Sequence, residues 1–263
     1  MSTVLFKHKE MNYTDQGKGD AIVLLHGFTE DLRIWKKFSS KLSGKYRVIC
    51  IDLPGHGKSE CLAETHTMDL LAEATSAVIK HLKIKKCLLI GHSMGGYVAL
   101  AFALRFLGML RGFGLFHSHC YPDSPQDKIN RSRTIEIVKK DHYGFLSMFI
   151  PGLFPDEVRK KFEKEIEFLQ WCAGEIPKEG IIAALKGMRE RKDMSGLLKS
   201  TRLPVLFILG LKDSRAPISR LWDMISLPAV SETLILRECG HMGYIEAPEV
   251  TLRTIWNFAD RVF

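Results

Sequence analysis

Ser93 stands at the centre of Gly91-His92-Ser93-Met94-Gly95, a G-x-S-x-G pattern. A serine hydroxyl is a weak nucleophile at neutral pH and needs a base, which a third group must orient. Small residues two before and two after an apex suit a strand-to-helix turn too sharp for Cβ atoms. The flanks supply both halves of such a turn. Cys87-Leu88-Leu89-Ile90 is an apolar run suited to a strand buried on both faces, and from Gly96 through Tyr97, Val98 and Phe102 the chain reads as a mostly buried helix. The apex side chain would then project above the sheet, at a helix N-terminus that favours negative charge. Ser93 is the candidate nucleophile.

In open parallel sheets, functional groups gather beyond the carboxyl ends of the strands. Asp213 follows the apolar run Phe207-Ile208-Leu209-Gly210, and His241 follows Leu234-Ile235-Leu236 within a few residues. Asp123 is the rival acid but lies farther from its strand end, whereas His241 has no rival after His142. Asp213 also suits a simple turn before a helix. His26, His56 and His92 belong to turns and read as hydrogen-bonding scaffold. His117 and His119 alternate at a strand end as a metal pair would, yet no carboxylate or cysteine arrangement completes a site.

The elements that would position these groups alternate in type. Residues 4–13 suggest one or two edge strands, 21–25 a buried strand, 32–42 an amphipathic helix, and 46–52 the next strand. Residues 68–82 form a helix with Leu71, Ala74, Val78 and Ile79 on its apolar face, and the Ser93 turn follows. After a short strand at 112–116 the rhythm breaks, and residues 121–198 read as helical only, punctuated by Pro151-Gly152 and Ile176-Pro177. Strand 204–210, helix 218–225, strand 232–236 and helix 248–263 then complete the pattern. Steady alternation predicts a parallel sheet covered on both faces, with the 121–198 segment as a helical insertion over it.

The chain has 263 residues, 46% of them hydrophobic and 26% charged, which is ordinary for a soluble globular protein with a sizeable core. The net charge of +8 is dispersed among acidic residues and carries no aromatic–basic motif, so nucleic acid is not an expected partner. No segment approaches a membrane span, and residues 1–18 lack the apolar stretch of a signal peptide. Six cysteines are scattered without C-x-x-C pairs, as expected for core thiols of a cytoplasmic enzyme.

The sequence resembles the α/β-hydrolase superfamily over nearly its whole length. The resemblance is carried by His26-Gly27-Phe28, Asp52-Leu53-Pro54-Gly55-His56-Gly57, the Ser93 pattern, Gly210-Leu211-Lys212-Asp213 and Gly240-His241-Met242-Gly243. It implies an α/β-hydrolase fold, with a mostly parallel sheet flanked by helices and a helical cap (121–198) inserted after the sixth family strand. Residues 1–120 and 199–263 would form the core. It also implies Ser93, Asp213 and His241 as a triad, with the backbone N–H groups of Phe28 and Met94 as oxyanion donors. His119, Cys120, Phe145, Met148 and Phe149 are candidates for the pocket wall. No cofactor or metal is implied.

A serine apex disfavours the dehalogenases and epoxide hydrolases of this fold, which use Asp. C–C bond hydrolases tend to place Asn where this chain has His92, and the menaquinone-pathway synthase places Arg where it has Tyr97. The expected function is hydrolysis of a small, largely apolar ester, lactone or thioester through an acyl-enzyme. Acyl transfer, C–C cleavage, a menaquinone-pathway-type lyase reaction on the same fold and a non-hydrolytic binding role are the alternatives, and both a monomer and a homodimer are compatible with the sequence.

Overall fold

The computed structural model describes residues 2–218 and 221–263. Eight strands form one sheet: β1 (Ser2–Phe6), β2 (Lys9–Gln16), β3 (Ala21–Leu25), β4 (Arg47–Ile51), β5 (Cys87–His92), β6 (Leu110–Phe116), β7 (Val205–Gly210) and β8 (Ser231–Leu236). Their order is β1-β2-β4-β3-β5-β6-β7-β8, with β1 and β2 antiparallel to their neighbours and every later pairing parallel. β3, β5 and β7 are buried at every position. That pattern requires cover on both faces and explains their unbroken apolar runs.

From β3 the chain passes to β4 on one side, then crosses to β5 on the other. The loops leaving β3 and β5 therefore diverge above the sheet, and a crevice opens between them. Three helices make the connections: α1 (Lys36–Leu42), α2 (Met68–His81) and α3 (Met94–Phe106). Thr67 caps α2 by accepting from Leu70 N–H at 3.1 Å.

Between β6 and β7 come α4 (Pro125–Lys140), α5 (His142–Phe149), α6 (Glu163–Gly174), α7 (Lys178–Arg189) and α8 (Ser195–Ser200), with no strand among the described residues. α4 opens on a reciprocal Ser124/Asp127 capping box with Pro125 in its first turn, a strong local start signal. The buried Ile135 and Val138 of α4 belong to the same core as Ile181, Ala184 and Leu185 of α7. The chain closes with α9 (Trp222–Ile225), α10 (Gly243–Glu246) and α11 (Pro248–Val262). Among the described residues no helix is long and apolar enough to cross a membrane. All six cysteines are free thiols.

Three expectations differ in detail. The helix expected over 32–42 begins as a 3-10 turn, Leu32–Trp35, because two carboxylates take its first donors. Leu32 N–H donates to Asp52 at 2.7 Å and Arg33 N–H to Asp31 at 2.8 Å. Of the two strands near the N-terminus only β1 is an edge, since β2 pairs on both sides. The helix expected over 218–225 is observed at Trp222–Ile225, and its positions Ser219 and Arg220 lie outside the described residues.

Candidate active site

The turn at Ser93 is as sharp as its glycines imply. A Cβ on Gly91 would stand 2.1 Å from the Gly95 carbonyl oxygen, and one on Gly95 would stand 2.6 Å from the carbonyls of Leu25 and His26. Ser93 itself has φ 50° and ψ −115°, a region that L-residues avoid at a cost of about 1–3 kcal/mol. The surroundings hold it there: Ser93 N–H donates to Phe116 at 2.8 Å, and Ser118 Oγ donates to the Ser93 carbonyl at 2.7 Å. A serine at this N-cap position would ordinarily bond back to its own helix. Ser93 makes no such bond, and its Oγ lies 2.9 Å from His241 Nε2.

His241 Nδ1 faces Asp213, at 3.0 Å from Oδ1 and 2.9 Å from Oδ2. Asp213 is fixed in turn by the N–H groups of Arg215 (2.8 Å) and Ala216 (3.0 Å) and by His117 Nδ1 (3.1 Å). Burial alone would raise the Asp213 pKa, but the facing His241 and the hydrogen bonds from His117 and His241 outweigh it and hold the carboxyl well below its usual value. Burial pushes His117 down to about 4, so it is neutral and donates from Nδ1.

Contrary to the sequence reading, a carboxylate does reach His117. Ligand atoms of His117, Asp213 and His241 lie within 4.8 Å of one another, although both imidazoles use Nδ1 on the shared carboxylate. Asp123, the rival acid, is held elsewhere, accepting from the guanidinium groups of Arg131 and Arg191.

The loop after β3 carries the other half of the site. Leu53 N–H donates to His26 Nε2 at 2.8 Å, which places the proton on Nδ1 for donation to Gly27 O at 2.8 Å. Glu30, which the sequence reading missed, organises this loop. Its carboxylate accepts from Gly27 N–H at 2.5 Å, from Tyr244 Oη at 3.0 Å and from His92 Nδ1 at 3.0 Å. His92 Nε2 then donates to the His241 carbonyl at 2.9 Å. One buried ion pair thus ties the loop after β3, the residue before Ser93 and the backbone of His241 together. The backbone N–H groups of Phe28 and Met94 meet no backbone acceptor among the described residues.

Ser93 and His241 border a cavity of about 480 Å³. Of the candidate wall residues, His119, Phe145 and Phe149 line it, with the two phenyl rings stacked 5.1 Å apart. His119 Nε2 pairs with Tyr97 Oη at 3.2 Å, and burial pushes its pKa down to about 4. Cys120 and Met148 do not line the cavity. Cys120, next to His119, is fully buried, its thiol pushed up to about 12 by burial. Met148 falls on the solvent side of α5 and is 82% exposed. The wall is also less apolar than the sequence suggested, since Tyr97, Asn130, Arg131, Thr134 and Arg215 contribute to it. Arg215, like Glu30, lacked a sequence signal, because only the folded loop places it on the cavity wall that Ser93 shares.

This sheet, with a serine on the strand-to-helix turn and an acid and a histidine beyond later strands, defines an α/β-fold hydrolase. The chain belongs to the alpha/beta hydrolase family, whose sequence model matches residues 22–254. It is 31% identical, over 88% of its length, to the dihydrolipoyllysine-residue acetyltransferase component of the acetoin cleaving system of Pseudomonas putida, and it spans 61% of that relative. It is 28% identical to a 2-hydroxy-6-oxononadienedioate/2-hydroxy-6-oxononatrienedioate hydrolase of Escherichia coli K12, covering 97% of this chain and 92% of the relative. A thermophilic esterase from Thermogutta terrifontis, solved with malate bound, superposes with a TM-score of 0.93 at 32% identity, over 99% of this chain and 97% of that one.

Proposed function

We propose that the protein is a serine hydrolase of small carboxylic esters or lactones, working through an acyl-enzyme. The observation that carries this reading is the continuous chain Ser93 Oγ–His241 Nε2 at 2.9 Å and His241 Nδ1–Asp213 at 2.9 Å. Ser93 attacks the carbonyl while His241 accepts its proton. Asp213 keeps the imidazole proton on Nδ1 and stabilises the cation that forms. The N–H groups of Met94 and Phe28 receive the oxyanion, each worth about 2.7–4 kcal/mol in sites of this kind. His241 returns the proton to the leaving alcohol, and water then releases the acid by the reverse roles. We assign residues 1–120 and 199–263 to the core and 121–198 to a cap, which is supported by Phe145, Leu185 and Met188 of its helices on the cavity wall. Six free thiols support a reducing, cytoplasmic location.

The test is a nitrophenyl ester assay with burst analysis. A burst of nitrophenol and labelling of Ser93 by a fluorophosphonate are expected, with Ser93→Ala lowering kcat by about 10⁴-fold or more. A folded protein inert to both reagents would remove the hydrolase reading. C–C bond hydrolysis is the second reading, supported by the Escherichia coli relative's coverage of the whole chain. Turnover of a vinylogous diketone exceeding that of every ester would favour it.

A further inference from the structure

The acyl-enzyme reading leaves one group of the cavity without a task. Arg215 sits two residues beyond Asp213 and shares the cavity wall with Ser93. Its guanidinium carbon lies over the Phe149 ring, 4.8 Å from the centroid, at cation–π distance. Among the described residues no carboxylate forms an ion pair with it.

The acids of the wall are already engaged. Asp123 is taken by Arg131 and Arg191, Glu30 by Gly27, His92 and Tyr244, and Asp127 by Ser124. Arg131 lines the same cavity and adds its own positive field. Burial chiefly, and Arg131 in addition, lower the Arg215 pKa, while Asp213 acts the other way. The wall that carries the serine therefore also carries an exposed guanidinium that forms no ion pair with a carboxylate among the described residues, Asp213 acting on it only through its field.

We propose that Arg215 is the binding group for a carboxylate on the substrate, so that the ester or lactone cleaved at Ser93 is itself an anion. A guanidinium fork matches a carboxylate with two parallel hydrogen bonds, which a mobile ammonium cannot. The contact with Phe149 restrains the guanidinium before the ligand arrives, so less ordering is needed on binding. The aromatic and aliphatic wall then contacts the carbon chain between the carboxylate and the scissile carbonyl. The chemistry rests on the serine-hydrolase reading above, whereas the anion site does not.

Two measurements separate them. The first compares kcat/KM for 4-nitrophenyl half-esters of succinic, glutaric and adipic acid with those of the butyrate, pentanoate and hexanoate esters. Acetyl esters of hydroxy acids, compared with those of the matching alcohols, cover a carboxylate in the leaving group. The best anionic ester is expected to exceed its neutral partner by at least about tenfold. Arg215→Met should cut that ratio by at least about tenfold, and Arg215→Lys should restore part of it. A ratio unchanged by Arg215→Met, or a wild-type preference for the neutral partner throughout, overturns the assignment.

The second measurement uses monomethyl glutarate as a thermal ligand of the Ser93→Ala protein, with and without Arg215→Met. Stabilisation that requires Arg215 without any ester turnover would retain the anion site and remove the hydrolase reading. Ester turnover without charge preference, together with no stabilisation, would do the reverse.

Discussion

At the scale of single residues, the Glu30–His92 pair shows how a buried charge can serve a site without touching substrate. Both side chains are almost fully buried, at 3% and 1% exposure, so neither could be ionised there alone. Burial by itself would raise Glu30, but His92 and the Gly27 N–H outweigh it, and its pKa is lowered from 4.5. Burial by itself would lower His92, but Glu30 outweighs it, and its pKa is raised from 6.5. A raised histidine stabilises the fold fully below its unfolded value, and that contribution is lost as pH rises through the folded value. A lowered carboxylate contributes above its unfolded value and loses the contribution as pH falls through the folded one. The pair therefore favours the fold most between these limits, and stability declines on the alkaline side as His92 loses its proton. Glu30→Gln should lower stability at pH 6 by about 3–5 kcal/mol and flatten this alkaline decline. Melting curves of both proteins from about pH 5 to 9 check it, and two parallel profiles would show that the pair is not ionised. Nothing in the sequence pointed to Glu30, because its side-chain partners His92 and Tyr244 lie 62 and 214 positions away.

At the scale of elements, the chain is legible wherever one local rule decides the outcome. Continuous apolar runs marked β3, β5 and β7, since strands buried on both faces have no polar side to interrupt them. The same local rule placed Ser93, because steric exclusion at Gly91 and Gly95 is written in five consecutive residues. It failed at Leu32–Trp35, where Asp52 reaches across from the end of β4 to take a helix donor. It also failed at Met148, since hydrophobicity does not say which side of α5 meets the cavity.

The turn's sterics give a quantitative expectation. An alanine Cβ at Gly95 would meet two backbone carbonyls of the β3 strand and loop at 2.6 Å, and backbone cannot step aside as a side-chain tip can. Gly95→Ala should therefore separate α3 from β3, cost at least about 1–3 kcal/mol, and displace the Met94 N–H. Gly108→Ala is the control, with nothing within 4 Å of its Cβ. It should change the unfolding free energy obtained from urea titration by less than about 0.5 kcal/mol. Equal effects of the two substitutions would contradict the steric account of the turn.

At the scale of the whole molecule, the question is what holds the helices inserted between β6 and β7 over the serine. Ion pairs to the core, Arg33–Glu175 and Lys212–Glu157, are part of the polar answer, and one carboxylate ties the inserted segment to itself. Asp123, in the segment leaving β6, accepts from Arg131 of α4 and from Arg191, just beyond α7. Arg191 also donates to the carbonyls of Tyr121 and Met188, both at 3.0 Å, and its guanidinium lies 4.3 Å from the ring centroid of Tyr97 on α3. The Asp123 and Arg191 side chains are 3% and 5% exposed, so removing the carboxylate leaves a guanidinium charge stranded in the interior. Asp123→Asn should accordingly lower stability by about 3–5 kcal/mol. Because Asp123 lies outside the Ser93–His241–Asp213 chain, this variant should keep the fluorophosphonate labelling of Ser93 at a temperature where it is folded. Asp213→Asn should do the opposite in activity, lowering kcat by about 10⁴-fold through the wrong imidazole tautomer. Measured side by side, melting temperature and Ser93 labelling rate separate the two aspartates that sequence alone left as rivals. If Asp123→Asn slowed labelling as much as Asp213→Asn while its melting temperature stayed unchanged, the acid of the site would have to be reassigned to Asp123.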